Sequence, residues 1–216
     1  MAYRLVIGNK NTSSWSLRPW IAMKLAGIPF SEVNIDLRAA DAKAQILSHS
    51  PAGKVPALLV DGNVIWDSLA ILEFLAEAHP QAGLWPSQAE ARAQARCIAA
   101  EMHSGFRALR EHCPMDIAGR TPKATLPAQV ETNVRRIIAI WRGCRSRFGK
   151  GGPFLFGPFT AADAMYAPVA TRFRTYLPDL SAHGDDGAAQ AYVEAIFALP
   201  AFAEWEKAAL EETGNS

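Results

Sequence analysis

Residues Asn9 to Trp20 read NKNTSSWSLRPW, a cluster of hydroxyl side chains ahead of a tryptophan, an arginine and a proline, directly after a short apolar run. Two uses of such hydroxyls compete. Thr12, Ser13 or Ser14 can cap the unpaired N–H groups that open a helix, or chemistry can happen at one of them. A serine-hydrolase site is excluded by pattern, since no Gly-x-Ser-x-Gly elbow occurs and no histidine is tied to these serines by spacing.

Two further places carry chemistry-bearing types. In Gly53-Lys54-Val55-Pro56 the proline opens an apolar β-type run. It is either a trans proline tolerated at a strand's first residue or a cis bond, which turns the Val55 N–H and C=O outward for a peptide ligand to pair with. Asp67-Ser68 opens a helical pattern. The pair caps that helix, and a helix start beside an acid also suits an α-amino acid end, with N–H groups for the carboxylate and Asp67 for the ammonium.

These residues need elements to hold them. Tyr3 to Ile7 reads as a strand, Trp15 to Ala26 as a helix ending at Gly27, Phe30 to Ile35 as a second strand, and Ala39 to Leu47 as a second helix. Ala57 to Val60 and Val64 to Trp66 flank Asp61-Gly62-Asn63, a hairpin signal. Leu69, Leu72 and Leu75 then recur at helical intervals. The proline-marked segment 80–87, PQAGLWPS, reads as a linker, and beyond it alanine replaces β-branched runs. Helices are expected at about Gln88 to Glu111, Leu126 to Phe148, Ala161 to Tyr176, Ala188 to Ala198 and Ala201 to Glu211. Thr160-Ala161-Ala162-Asp163 has the form of a capping box. The expected organisation is a βαβαββα domain over 1–79, a linker over 80–87 and an all-helical domain over 88–216.

Bulk properties narrow the classes. Half the residues are hydrophobic, a fifth are charged and the formal net charge is +1, the balance of a globular chain with no basic excess to attract nucleic acid. The opening MAYRLVIGNK is too short an apolar run for a secretory signal, and no stretch approaches the ~20 apolar residues of a membrane span; a cytoplasmic location is expected. Cys97, Cys113 and Cys144 are odd in number and widely spaced, so neither a disulfide framework nor a metal site is indicated.

Taken in order, these motifs make the chain resemble the cytosolic glutathione transferases along nearly its whole length. The resemblance implies an α/β thioredoxin-like N-terminal domain followed by an all-α helical bundle, opened at its central helix by the Thr160–Asp163 box. It also implies that glutathione pairs with Lys54, Val55 and Pro56 across a cis bond and is held at its γ-glutamyl end by Asp67 and Ser68. NKNTSSWSLRPW then falls where serine-type members keep the hydroxyl that contacts the glutathione sulfur. The zeta class, with Ser-Ser-Cys-x-x-Arg, is closest in motif, but Trp15 stands where that class has cysteine, which opens the question of substrate. Theta and delta patterns point to Ser14 and the zeta pair to Ser13, so both are retained as catalytic candidates. A serine here cannot form a mixed disulfide, which excludes glutaredoxin-like chemistry.

On the first long helix of the helical part, Arg92, Arg96, His103, Arg107 and Arg110 share one face at ~100° per residue. In the resembling family that helix borders the electrophile cleft and the subunit interface, and Trp15, His103 and Arg107 are assigned as contacts to the acceptor. Arg18 is expected to form an ion pair that orients the serine loop, and Trp20 to sit in the core. The activity implied is conjugation of glutathione to a small electrophile by a cytoplasmic homodimer, a detoxification chemistry. A maleylacetoacetate-isomerase-like reaction and a non-catalytic binding or scaffold module are the alternatives.

Overall fold

The computed structural model describes residues 1–214; Asn215 and Ser216, the end of the expected helical domain, lie outside the described residues. Tyr3–Gly8 (β1) pairs in parallel with Phe30–Ile35 (β2) and antiparallel with Ala57–Val60 (β3), which pairs antiparallel with Asn63–Trp66 (β4). The sheet order is β2-β1-β3-β4. Ser14–Leu25 (α1) makes the crossover from β1 to β2, Ala42–His49 (α2) leads from β2 to β3, and Ser68–Ala78 (α3) follows β4.

Alternation along β1 assigns its two faces. Leu5 and Ile7 join Leu17, Trp20 and Ile21 of α1 and Ile71, Leu72 and Leu75 of α3, whereas Val6 turns to the other side, against Ile46 of α2 and Ile35 of β2. Trp20 is thus a core residue, as expected. The hairpin closes on Asp61 and Gly62, both left-handed at φ 47° and 82°, the backbone a two-residue loop needs to follow the strands' right-handed twist.

The helical part comprises Ala89–Ser104 (α4), Arg107–His112 (α5), Ala128–Phe148 (α6), Ala161–Tyr176 (α7), Ala188–Phe197 (α8) and Pro200–Thr213 (α9). α7 is buried at every residue except Arg174 and packs on α1, α4 and α8, so the larger core runs unbroken from the sheet into the bundle. Its first turn carries the expected box: the Thr160 N–H and hydroxyl both donate to Asp163 at 2.8 Å, and the Leu155 N–H reaches the other carboxylate oxygen at 3.1 Å. Burial raises the Asp163 carboxyl from its ordinary range to about 6.

One expected element is corrected. The single helix over Gln88 to Glu111 is broken at Gly105 and Phe106, where the chain turns extended and then left-handed, with Phe106 at φ 55°. A Cβ on Gly105 would stand 2.7 Å from the Glu101 carbonyl oxygen, so glycine is required there. The break inserts Phe106 into the core and re-aims α5, whose Leu109 N–H is taken by the Asn133 side chain at 3.2 Å. None of the helices is long and apolar enough to cross a membrane among the described residues.

Candidate functional site

A cleft of about 590 Å³ opens between the sheet and the bundle. Its walls come from the first turn of α1 (Trp15), the segment before β3 (Ala52, Lys54, Val55, Pro56), the β4–α3 junction (Trp66, Asp67, Ser68), α4 (His103) and α5 (Arg110). Separate elements far apart in sequence therefore converge on one volume of ordinary ligand-site size.

The Val55-Pro56 peptide is cis. Val55 lies between α2 and β3, outside either element, and makes no backbone hydrogen bond among the described residues. Across the cleft, Asp67 adopts φ 76°, a conformation rare for a residue with a Cβ, and caps α3: one carboxylate oxygen accepts the N–H groups of Leu69 and Ala70 at 2.9 and 3.3 Å. The other oxygen lies 3.1 Å from His103 Nε2. Ser68 is 1% exposed, and its hydroxyl has no partner among the described residues.

Trp15, in the first turn of α1, lines the cleft. The Arg18 guanidinium lies over its ring at 3.9 Å, that of Arg110 at 5.3 Å, and the His103 ring meets it edge-on at 5.3 Å. Among the described residues Arg18 forms no ion pair, contrary to expectation. This side chain is fully buried, its Nε donates to the Met165 carbonyl of α7 at 3.0 Å, and its two terminal nitrogens have no partner among the described residues. Burial first, then repulsion from Arg172 and Arg110, holds its pKa well below the usual guanidinium value, with partial relief from Asp67. A buried cation without a carboxylate is costly, and its contact with the Trp15 face supplies the attraction that remains.

The serine pair divides. Ser13 is the residue preceding α1, yet its side chain caps no helical N–H. Its hydroxyl lies 2.8 Å from that of Ser16, which itself accepts the Gly8 N–H at 3.1 Å, so Ser13 is committed to the interior. Ser14 is the first helical residue, 7% exposed, and its hydroxyl makes no hydrogen bond among the described residues. Neither serine belongs to the cleft lining, which begins at their neighbour Trp15.

Of the acceptor-side residues, Trp15 and His103 line the cleft and Arg107 does not. Arg107 is 82% exposed and pairs with Glu111 at 2.7 Å, because the chain break at Gly105 shifts the helical phase by which it shared a face with His103. Arg110 lines the cleft instead, its Nε buried without a partner among the described residues and its pKa lowered by burial. The rest of the basic stripe is dispersed: Arg96 pairs with Glu73 of α3, and Arg92 bonds the Pro86 and Ser87 carbonyls. Ala52, Trp66, half exposed at the cleft's rim, and Arg110 are the lining residues that sequence reasoning did not single out for the site.

Comparison with known proteins follows from this geometry. The sequence family described as glutathione S-transferase, N-terminal domain, matches residues 12–78, and that described as glutathione S-transferase, C-terminal domain, matches residues 127–208. A probable maleylacetoacetate isomerase of Caenorhabditis elegans is 39% identical over 100 residues and covers 46% of each chain. The match to the maleylacetoacetate isomerase of Rhizobium meliloti likewise covers 46% of that protein, so the chain spans about half the length of these two relatives. The maleylacetoacetate isomerase of Rattus norvegicus is 36% identical over 176 residues, 80% of this chain and 78% of that protein. Among solved structures, a glutathione transferase homolog from Burkholderia gl BGR1 with bound glutathione superposes with a TM-score of 0.74 at 22% identity, over 98% of this chain and 100% of that one. A maleyl pyruvate isomerase, described as a bacterial glutathione S-transferase in the zeta class, gives 0.70 at 25% identity over 95% and 97%.

Proposed function

The chain belongs to the glutathione S-transferase family, and from that premise we propose that it binds glutathione in this cleft and directs the thiolate at a small electrophile. The observation that carries the reading is the Ser68 hydroxyl, buried in the cleft wall at the start of α3 without a partner among the described residues. A buried polar group left unpaired costs about 1 to 3 kcal/mol, and a ligand carboxylate at this helix start relieves it. Asp67 then receives the ammonium through the oxygen it shares with His103, and the Val55 backbone, with Lys54 beside it, pairs with the cysteinyl unit.

The sulfur end falls to Ser14 rather than Ser13, because the Ser13 hydroxyl is taken by Ser16 and that of Ser14 is not. Ser14 need not be a nucleophile; it donates a hydrogen bond to the sulfur, and the N-terminus of α1 adds partial positive charge. A free thiol of pKa ~8.5 is only a few per cent ionised at neutral pH, and lowering it by ~2 units takes ~2.7 kcal/mol of differential stabilisation. One charge-assisted hydrogen bond and one helix end are of that size.

A second reading, isomerisation of an unsaturated acid with glutathione regenerated, is favoured by the alignment with the rat maleylacetoacetate isomerase and by the Arg110 guanidinium that lines the cleft over Trp15. On either reading residues 1–79 hold glutathione, 80–87 link, 88–216 shape the acceptor side, and the protein works as a cytoplasmic homodimer without nucleic acid or membrane as a partner. Calorimetry with millimolar glutathione followed by product analysis tests this. Saturable binding with glutathione consumed during turnover supports conjugation, and binding with total glutathione constant supports isomerisation. No binding refutes the proposal and leaves the non-catalytic scaffold.

A further inference from the structure

We infer that Glu212 and Trp205, on the last helix, are positioning residues for the serine-bearing loop, setting where the Ser14 hydroxyl stands relative to a thiol bound in the cleft. The inference rests on the function proposed above and adds residues that touch neither glutathione nor acceptor.

The loop between β1 and α1 is short and closes on itself, with the N–H groups of Thr12 and Ser13 both donating to the Asn9 carbonyl at 3.2 and 2.8 Å. Whatever holds Lys10 and Asn11 therefore holds Ser13 and Ser14. The Glu212 carboxylate accepts the Lys10 N–H at 2.9 Å with one oxygen and the Asn11 N–H at 3.2 Å with the other. The Asn34 amide reaches the first of these oxygens at 3.2 Å, tying the same carboxylate to β2. About two turns earlier on α9, the buried Trp205 Nε1 donates to the Lys10 carbonyl at 2.8 Å. Lys10 itself is clamped: its ammonium lies over the rings of Trp20 and Trp205 at 5.3 and 5.4 Å and pairs with Glu32 at 2.8 Å. Asn11 is fixed from the segment after α5, with its carbonyl accepting the Ile117 N–H and its side chain bonding Ala118 and Asp116.

Packing alone does not account for this arrangement. A helix that only covered the core would need Trp205 as a ring, but the ring N–H and a bidentate carboxylate near the end of α9 are both spent on backbone groups of two consecutive loop residues. Bidentate acceptance by an ionised group is geometrically strict, so the loop follows the end of α9 closely.

The sign of the effect separates positioning from simple electrostatics. Deleting the negative charge of Glu212 would by itself favour a nearby thiolate and lower the thiol pKa. Losing the latch moves the Ser14 donor and raises it. The test uses the full chain as wild type, Glu212→Ala, Glu212→Gln and Trp205→Phe. Glutathione binding is followed by calorimetry, the bound thiol by its ultraviolet thiolate absorbance across pH, and loop amides by hydrogen exchange.

The expected result is glutathione affinity within about threefold of wild type for Glu212→Ala, a thiol pKa raised by about one unit, equivalent to a tenfold loss of thiolate, and faster exchange at Lys10 and Asn11. Glu212→Gln, which keeps one acceptor oxygen, recovers part of the shift, and Trp205→Phe keeps the ring while reproducing the shift. A thiol pKa unchanged or lowered in Glu212→Ala, with wild-type binding intact, overturns this inference alone. A wild-type chain that binds no glutathione overturns the proposed function and this inference together, and that result is read before any variant is compared.

Discussion

The serine pair offers the sharpest contrast between two neighbouring substitutions. Ser13→Ala removes a hydroxyl committed to Ser16 at 2.8 Å in the interior. Because Ser16 still accepts the Gly8 N–H at 3.1 Å, that backbone donor stays paired, and the cost is that of the one hydroxyl–hydroxyl bond, about 1 kcal/mol of stability. Ser14→Ala removes a hydroxyl with no partner among the described residues, so the free protein loses almost nothing. In the glutathione complex the order reverses. A hydrogen bond to a charged group is worth about 1.5 to 3 kcal/mol, so Ser14→Ala raises the thiol pKa by about 1 to 2 units, and Ser13→Ala leaves it within a few tenths. Denaturant titration of the free proteins and pH titration of thiolate absorbance in the complexes measure the two effects separately. The reasoning is refuted if Ser13→Ala carries the pKa shift, or if Ser14→Ala destabilises the free protein as much as Ser13→Ala does.

Three other outcomes follow from the geometry. Ser68→Ala removes a buried hydroxyl without a partner among the described residues, so thermal stability should stay level or rise slightly, while glutathione affinity measured by calorimetry falls about tenfold, or ~1.4 kcal/mol. Gly105→Ala would press a Cβ to 2.7 Å from the Glu101 carbonyl, and denaturant melts should show a loss of about 1 to 3 kcal/mol. Asp163 gives a pH signature: its folded pKa, raised from 3.8 to about 6 by burial, means the folded state binds more protons between those values. Its contribution is fully present below about pH 4 and is lost as pH rises through about 6, so wild type should lose up to ~3 kcal/mol relative to Asp163→Asn between those limits. A wild-type-minus-variant difference that is flat with pH contradicts that burial term.

Local signals marked much of this in the sequence. Short apolar runs turned at Asp61 and Gly62, a proline at the start of a strand, the Asp67-Ser68 helix start and the Thr160–Asp163 box are each decided by residues a few positions apart. What stayed hidden depends on distant contacts. A single glycine inside a helical pattern costs only about 1 kcal/mol, so Gly105 did not announce that Phe106 would leave the helix for the core. With that break unseen, Arg107 and Arg110 share one face with His103, and only Arg110 of the two reaches the cleft. Arg18 was given an ion pair because a charged residue near polar neighbours usually has one; that it lies against α7 with a carbonyl as its partner is set by residue Met165. The hold on the serine loop is less legible still, since Glu212 and Lys10 meet from opposite ends of the chain.

The central claim is that one cleft binds glutathione with its sulfur at the N-terminus of α1. A crystal structure of the wild-type chain with glutathione bound measures it directly. The account predicts the γ-glutamyl end at Asp67 and Ser68, the cysteinyl backbone paired with Val55, and the Ser14 hydroxyl within ~3.2 Å of the sulfur. Glutathione seated elsewhere, or in the cleft with its sulfur on Ser13 or away from both serines, would contradict it.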